Sequence, residues 1–567
     1  MKKIQFLLLI TLFISCKENP KPAIKEKTPE IGLITQKAMV VSARAEASKI
    51  GNDILRRGGN AFDAMVGTEM ALAVCYPFAG SLGSGGFMVY RTQYGEKGAL
   101  NYREKAPLKA HRDMYLDKTG KYISEKSKKG ALAVGVPGTV AAIFSVHQKF
   151  GSIPIEELLK PVIELAKKGF VITPKQAQRL NRYAADFKAV NGEESIFTKT
   201  YKAGDTLKNL ALAKTLQTIS DKGLQAFYNG EIGDKLVEFI QKKGGIISKK
   251  DLELYQTQWT DPIEFNYKNL HIISMSPPSS GGICLAQILK MIEPFNIKQF
   301  PHNSTKYIQL LTEAERRAYA DRSFYLGDPD FVSIPIDTLL SRHYLKNRMK
   351  NFSWQHATPS DNISHGKIPG YESNETTHYS IVDPFGNAIA ATTTLNGAYG
   401  SKLYVKELGF FLNNQMDDFS AKPGTPNMFG LIGGEANAIE PQKRMLSSMT
   451  PTIVEKDGKL WMTLGTPGGS TIITSVLQTI LNVYEYDMSM QQAVNAPRFH
   501  HQWLPDVIRF EPGLFDKKIA DSLQQKGYTI DEKKSKIIGK VDAILVLPNG
   551  NLEGGADRRG DDTAVGF

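Results

Sequence analysis

The stretch TTHYSIVDPFGNAIAATTTLN, residues 376–396, reads as two strands joined by a turn. Thr376 to Ile381 is rich in β-branched and aromatic residues, and Ala388 to Leu395 is its mirror. Asp383-Pro384-Phe385-Gly386-Asn387 between them is turn chemistry. If Asp383 faces Ala388, Thr376 opposes Leu395, give or take one position; a one-residue bulge puts it opposite Thr394. Facing residues sit about 4.5–5.5 Å apart, so the Thr394 hydroxyl then reaches the start of the first strand. Thr392 shares that face, two residues earlier. Threonine is common in strands, so this clustering alone assigns no chemistry.

Working outward, residues 43–57 have helical spacing and stop at Gly58-Gly59. Asn60 is placed to cap a second helix running to about Cys75. The segment 80–90, GSLGSGGFMVY, is a glycine-rich turn entering a strand, without the Gly-Lys-Ser/Thr ending of a phosphate loop. From about 140 to 350 the pattern is mostly helical. That region includes a charged amphipathic run, Tyr307–Arg322, and is broken by the loop Ser276–Gly282. After about 375 the texture changes to short strands and turns, with one helix after Gly468-Gly469-Ser470.

The chain has 567 residues, past the size at which a single hydrophobic core stops growing, so two units or one large α/β body are expected. Its net charge of +12 is spread along the chain, as at Lys249-Lys250 and Lys533-Lys534, and no nucleic-acid motif accompanies it. Lys2 and Lys3 precede an apolar run, Ile4 to Ile14, too short to span a bilayer and suited to a signal peptide. Ser15-Cys16 at its end resembles a lipoprotein cleavage and lipidation site, with Phe13 where that pattern prefers Leu. Residues 17–30, rich in Lys, Glu and Pro, read as a tether. The expectation is an exported protein of the bacterial cell envelope, anchored by lipid on Cys16; a soluble secreted form is the alternative. Cys75 and Cys284 lie in apolar contexts and read as buried free thiols.

The segment ETTHYSIVDPFGNAIAATTTLN resembles the processing site of γ-glutamyltransferases. Other motifs of that family come in its order: NYREKAP (101–107), FLNNQMDDFS (411–420), LSSMTPT (446–452), TPGGS (466–470) and NAPRFHHQWLPD (495–506). The resemblance covers about Lys37 to Phe567. It implies the four-layer αββα sandwich of N-terminal-nucleophile hydrolases, built jointly by two fragments after self-cleavage. The implied parts are a signal peptide (1–15), a tether (16–36), a large subunit (37–375) and a small catalytic subunit (376–567).

The resemblance implies that Thr376 cuts the bond after Glu375 and then serves as nucleophile. A threonine hydroxyl needs a base, and a free α-amine, with a pKa of about 7.7–8.0, supplies one on the same residue. His378, His500 and His501 are then structural. Thr394 corresponds to a threonine that tunes the nucleophile, and Thr392 to a support for processing. Gly468 and Gly469 match the family's oxyanion-binding amides. Arg103 matches its carboxylate-binding arginine, helped by Ser447 and Ser448. Asp418, with Asn396 and Gln415, matches the binders of the substrate ammonium. Residues 423–435 resemble the family's lid, with Phe429 where many lidded relatives carry a tyrosine whose hydroxyl latches the gate to Asn396.

The resemblance therefore implies an enzyme moving γ-glutamyl groups from glutathione and related compounds to water, amino acids or peptides. Neither metal nor organic cofactor is implied. Two other readings stand beside it, an acylase for glutaryl or cephalosporin side chains and an inactive surface-binding lipoprotein.

Overall fold

The computed structural model describes residues 30–363, 376–533 and 537–567. Cys16 and Glu375, with the signal segment and most of the tether, lie outside them.

Within the central hairpin the strands are Thr377–Val382 and Ala388–Thr394. Val382 pairs with Ala388 and Thr377 with Thr393, which sets Thr376 level with Thr394 rather than Leu395. The turn decides this register. Asp383 Oδ1 accepts the backbone N–H of both Phe385 and Asn387, at 2.9 Å each, and Gly386 takes a φ of +95°. Asp383 therefore closes on Asn387, with its N–H 3.1 Å from the Asn387 carbonyl, and the alignment moves by one residue without a bulge. The second Asp383 oxygen accepts the N–H of Ala61 at 2.8 Å, pinning the turn to the N-terminus of the helix Ala61–Cys75.

Strand alternation then gives the hairpin two faces. Tyr379, Ile381, Ile389, Ala391 and Leu395 pack with the helices Ala45–Arg56, Ala61–Cys75 and Ile155–Lys168. Val382, Ala388 and Ala390 pack instead with Ile273, Ile453 and Ile544 of a second sheet. The hairpin is central in a seven-stranded antiparallel sheet ordered Thr563–Gly566, Met39–Ser42, Thr377–Val382, Ala388–Thr394, Gly85–Arg91, Lys97–Tyr102 and Gln258–Thr260. The facing sheet also has seven strands: Leu33–Thr35, Leu552–Ala556, Asp542–Val546, Lys459–Gly465, Thr452–Lys456, Leu270–Ser274 and Ile263–Tyr267. Helices Gly281–Ile292, Thr305–Tyr325 and Thr471–Tyr486 cover its outer side. The layers are helix, sheet, sheet, helix, as the resemblance implied. Both sheets draw strands from before 363 and after 376, so neither stretch completes a sheet alone.

Asn60 caps its helix with a reciprocal Asp63 bond, and the first helix ends at Arg56. The middle region contributes strands as well as helices. Beyond 375, the helices Met490–Asn495 and Lys517–Gln525 join the expected one at Thr471–Tyr486. Charged Tyr307–Arg322 is a correction of another kind, because its helix is buried from Tyr307 to Ser323. Three of its charges are met by ion pairs: Arg317 meets Glu313 at 2.6 Å, Arg316 meets Asp506 at 2.5 Å, and Asp321 meets Arg348 at 2.9 Å.

Cys75 and Cys284 are buried and free, and burial pushes the Cys284 thiol up to about 12. No helix among the described residues is long and apolar enough to cross a membrane.

Candidate active site

At the end of the hairpin, Thr376 Oγ1 and Thr394 Oγ1 lie 3.3 Å apart, both buried. Thr394 Oγ1 also accepts the N–H of Asn396 at 2.8 Å. That bond requires the chain to curl at Asn396, whose φ of +73° is a conformation asparagine tolerates better than most residues. Thr392 does not reach the cleft and instead meets His378 Nδ1 at 2.8 Å. Burial drives the His378 and His500 rings down to about 3, so both are neutral and unsuited to hold a proton near neutral pH.

Around Thr376 is a small cleft. Arg103 enters from the end of strand Lys97–Tyr102. Asp418 and Gln415 come from the short turn Gln415–Asp418, Ser447 and Ser448 from the approach to strand Thr452–Lys456, and Gly469 from the turn before helix Thr471–Tyr486. Asn396 and Phe429 complete the expected set. Gly468 is beside the cleft rather than in its lining. Its φ of +143° excludes side chains, and its carbonyl accepts both the N–H and the hydroxyl of Thr471. With Gly469 at +55°, the pair turns the chain directly into a helix N-terminus, which favours developing negative charge.

Arg103 and Asp418, matched to opposite ends of a substrate, are bonded to each other at 2.5 Å. Gln415 Nε2 donates to the same Asp418 oxygen at 3.1 Å. A zwitterionic ligand offers each a partner of opposite sign, so the exchange conserves charge. Burial raises Asp418 to about 6 against the pull of Arg103, and raises the adjoining Glu104 to about 8. Asp418 is thus mostly ionised at neutral pH and Glu104 mostly protonated.

The cleft holds about 20 Å³ of free space, roughly one or two waters. Its roof is the segment 423–435, folded on itself by bonds from Gly424 N to Gly433 O and from Asn427 N to Leu431 O. Phe429 is buried, and its ring stands 2.6 Å from where a Cβ on Gly469 would be. Asn396 Nδ2 donates to the Asn414 carbonyl. In place of a tyrosine latch, Met428 N–H donates to Asp417 at 2.8 Å and Asn427 Nδ2 to Asp418 at 3.3 Å.

Arg322 also lines the cleft, although no sequence motif marks it. It closes the charged run Tyr307–Arg322, where its charge resembles those of a solvated face.

A family model described as Gamma-glutamyltranspeptidase matches residues 47–567. The glutathione hydrolase proenzyme of Escherichia coli (strain K12) is 46% identical over 538 residues, 94% of this chain and 92% of that protein. The crystal structure of Helicobacter pylori gamma-glutamyltranspeptidase is 40% identical with a TM-score of 0.56, covering 60% of this chain and 97% of that one. A cephalosporin acylase from Bacillus halodurans has the same fold, with a TM-score of 0.84 at 24% identity, covering 98% and 99% of the two chains.

Proposed function

The chain belongs to the gamma-glutamyltranspeptidase family, and from that we infer that it is a self-processing γ-glutamyltransferase and glutathione hydrolase. The observation that carries this reading is the Thr376–Thr394 hydroxyl pair, 3.3 Å apart, in a cleft that also presents Arg103 and Asp418.

In processing, Thr376 Oγ1 attacks the Glu375 carbonyl carbon. The peptide C–N bond breaks, its nitrogen takes up the proton the hydroxyl gave away and becomes the new α-amine, and water hydrolyses the ester, which frees the Glu375 carboxylate and restores the Thr376 hydroxyl. In turnover, that amine takes the Thr376 hydroxyl proton as Oγ1 attacks the γ-carbonyl of the donor. The N–H groups of the Gly468-Gly469 turn stabilise the oxyanion. The proton passes to the departing amine, and a γ-glutamyl ester remains on Thr376. Water yields glutamate; an amino acid or peptide amine yields a new γ-glutamyl compound. Arg103, Ser447 and Ser448 hold the α-carboxylate of the donor, while Asp418, Gln415 and Asn396 hold its α-ammonium. All of these steps use groups of the chain itself.

Both sheets need strands from each side of the cut, which supports a stable pair of fragments after cleavage. Export and lipid attachment at Cys16 are part of the proposal. They are supported by the apolar run and Ser15-Cys16, and are checked by whether Cys16→Ala releases the protein from the membrane fraction.

Asp418 is what argues against a glutaryl acylase, since a glutaryl group has no ammonium to meet it. Product analysis with glutathione, with and without a dipeptide acceptor, tests the assignment. Glutamate is expected alone, and a γ-glutamyl dipeptide as well when acceptor is present. Faster release from a glutaryl amide than from glutathione would reverse the choice.

A further inference from the structure

Arg322 is almost wholly buried, lines the cleft, and ends in a two-pronged grip. Its Nε donates to Ser280 Oγ at 2.9 Å, and its Nη2 donates to Ser448 Oγ at 3.1 Å. Ser280 in turn donates through its hydroxyl and its backbone N–H to the Ser447 carbonyl, at 2.7 and 2.8 Å. One guanidinium therefore fixes both serines, Ser448 directly and Ser447 through Ser280.

The direction of these bonds matters. A guanidinium only donates, so the Ser448 oxygen is an acceptor there and its own proton is left to point elsewhere. Ser447 Oγ likewise accepts, from the N–H of Met449 at 3.1 Å. Among the described residues neither hydroxyl proton has an acceptor. Two hydroxyls locked as donors at a cleft wall fit an anion.

Charge points the same way. Elsewhere on this helix Arg317 is matched by Glu313, Arg316 by Asp506 and Asp321 by Arg348, and burial raises the Glu315 carboxyl so that it favours its neutral form. Arg322 has no carboxylate at ion-pair distance among the described residues. Arg103 is neutralised by Asp418 at 2.5 Å, and Glu104 behind it is mostly protonated. The cleft thus keeps one uncompensated positive charge, on Arg322, where burial makes a counter-anion most valuable.

Resting on the γ-glutamyl reading, we infer that Arg322 is a positioning and specificity residue for the donor's α-carboxylate: it locks the Ser448 hydroxyl as a donor and supplies the positive charge that makes a carboxylate there favourable. Arg103 alone, shared with Asp418, leaves the charge balance of the cleft unchanged by a zwitterion. Arg322 is what makes the carboxylate end mandatory.

The test is calorimetric titration of the processed enzyme with L-glutamate and with 4-aminobutanoate, which lacks only the α-carboxylate. R322Q is expected to weaken L-glutamate by roughly 30-fold, within the range of lost charge-assisted hydrogen bonds, and to change 4-aminobutanoate less than about threefold. R322K should fall between, keeping the charge without the fork. S448A should show the same selective loss, and R322Q/S448A should be little worse than R322Q because the two act together. Equal losses for both ligands, or an unchanged affinity for L-glutamate, would overturn the inference. Should R322Q fail to fold or cleave itself, R322K and S448A decide on the same ligands. Titration needs no turnover, so a wild type inert on a γ-glutamyl anilide would sink the enzymatic reading separately.

Discussion

The floor of the cleft is sheet, and its roof is loop. Thr376 and Thr394 sit at the end of a hairpin held between Met39–Ser42 and Gly85–Arg91, so neighbouring strands fix where the two oxygens lie. The roof is held to the body by hydrogen bonds, among them Met428 to Asp417, Asn427 to Asp418, Gly434 N–H to the Ser323 carbonyl and Gln502 to the Phe429 carbonyl, by an Arg112–Glu435 ion pair at 2.6 Å, and by the buried side chains of Phe429 and Leu431. Each such bond is worth about 1 kcal/mol, less than the joint pairing and packing that hold a strand inside the sheet. The two parts meet at Asp418, which binds Arg103 below and Asn427 above. Substrate recognition and closure therefore share one carboxylate.

Breaking the floor should have the largest effect. Thr376→Ala should leave a single uncut chain on a denaturing gel and lower turnover on the order of 10⁴-fold or more. A variant that still divides into two fragments would remove Thr376 from processing. At the junction, Asp418→Asn should lower kcat/KM roughly 10²-fold, as expected when one partner of a buried charge pair is truncated. The wild-type pH profile sharpens this. Asp418 must be ionised to hold an ammonium, and burial has raised it to about 6. Protonation of the α-amine base already lowers kcat/KM below about pH 8, so the profile should steepen by a further tenfold per pH unit below about pH 6, and Asp418→Asn should lack that extra fall.

Gly469→Ala drives the floor into the roof. Its Cβ meets the Phe429 ring, and its φ of +55° is strained for alanine. A roughly tenfold loss in kcat/KM is expected, recovered in part by adding Phe429→Ala; strictly additive losses would separate the two sites. Phe429→Tyr should do least. It adds a hydroxyl to a roof already held by Asp417 and Asp418, and should change the hydrolysis-to-transfer ratio by less than about threefold. A larger change in product ratios would make the ring, rather than the loop bonds, the gate.

The legible parts of this molecule are those where neighbours along the chain decide the outcome. Asp383 and Gly386 announce a turn, Asn60 and Asp63 a helix start, and Gly468-Gly469 a glycine turn before a helix. The hairpin register departs by one residue from the alternation pattern because the Asp383 side chain, by accepting from Asn387, shortens the loop. Arg322 is illegible for the opposite reason: Arg317 has Glu313 one helical turn back as its partner, but nothing along the chain names a partner for Arg322. Only the packing of the helix brings it to Ser280 and Ser448.

Residue order was enough to establish the two strands, the threonines at their ends and, through family motifs, the charged pair Arg103 and Asp418. Those depend on local turn chemistry and on residue types that the chemistry demands. It took the folded chain to set Thr376 level with Thr394, to join Arg103 to Asp418, to shut the roof, and to bring a buried arginine into the site. These are distances between segments far apart in the chain, set by how helices and sheets pack.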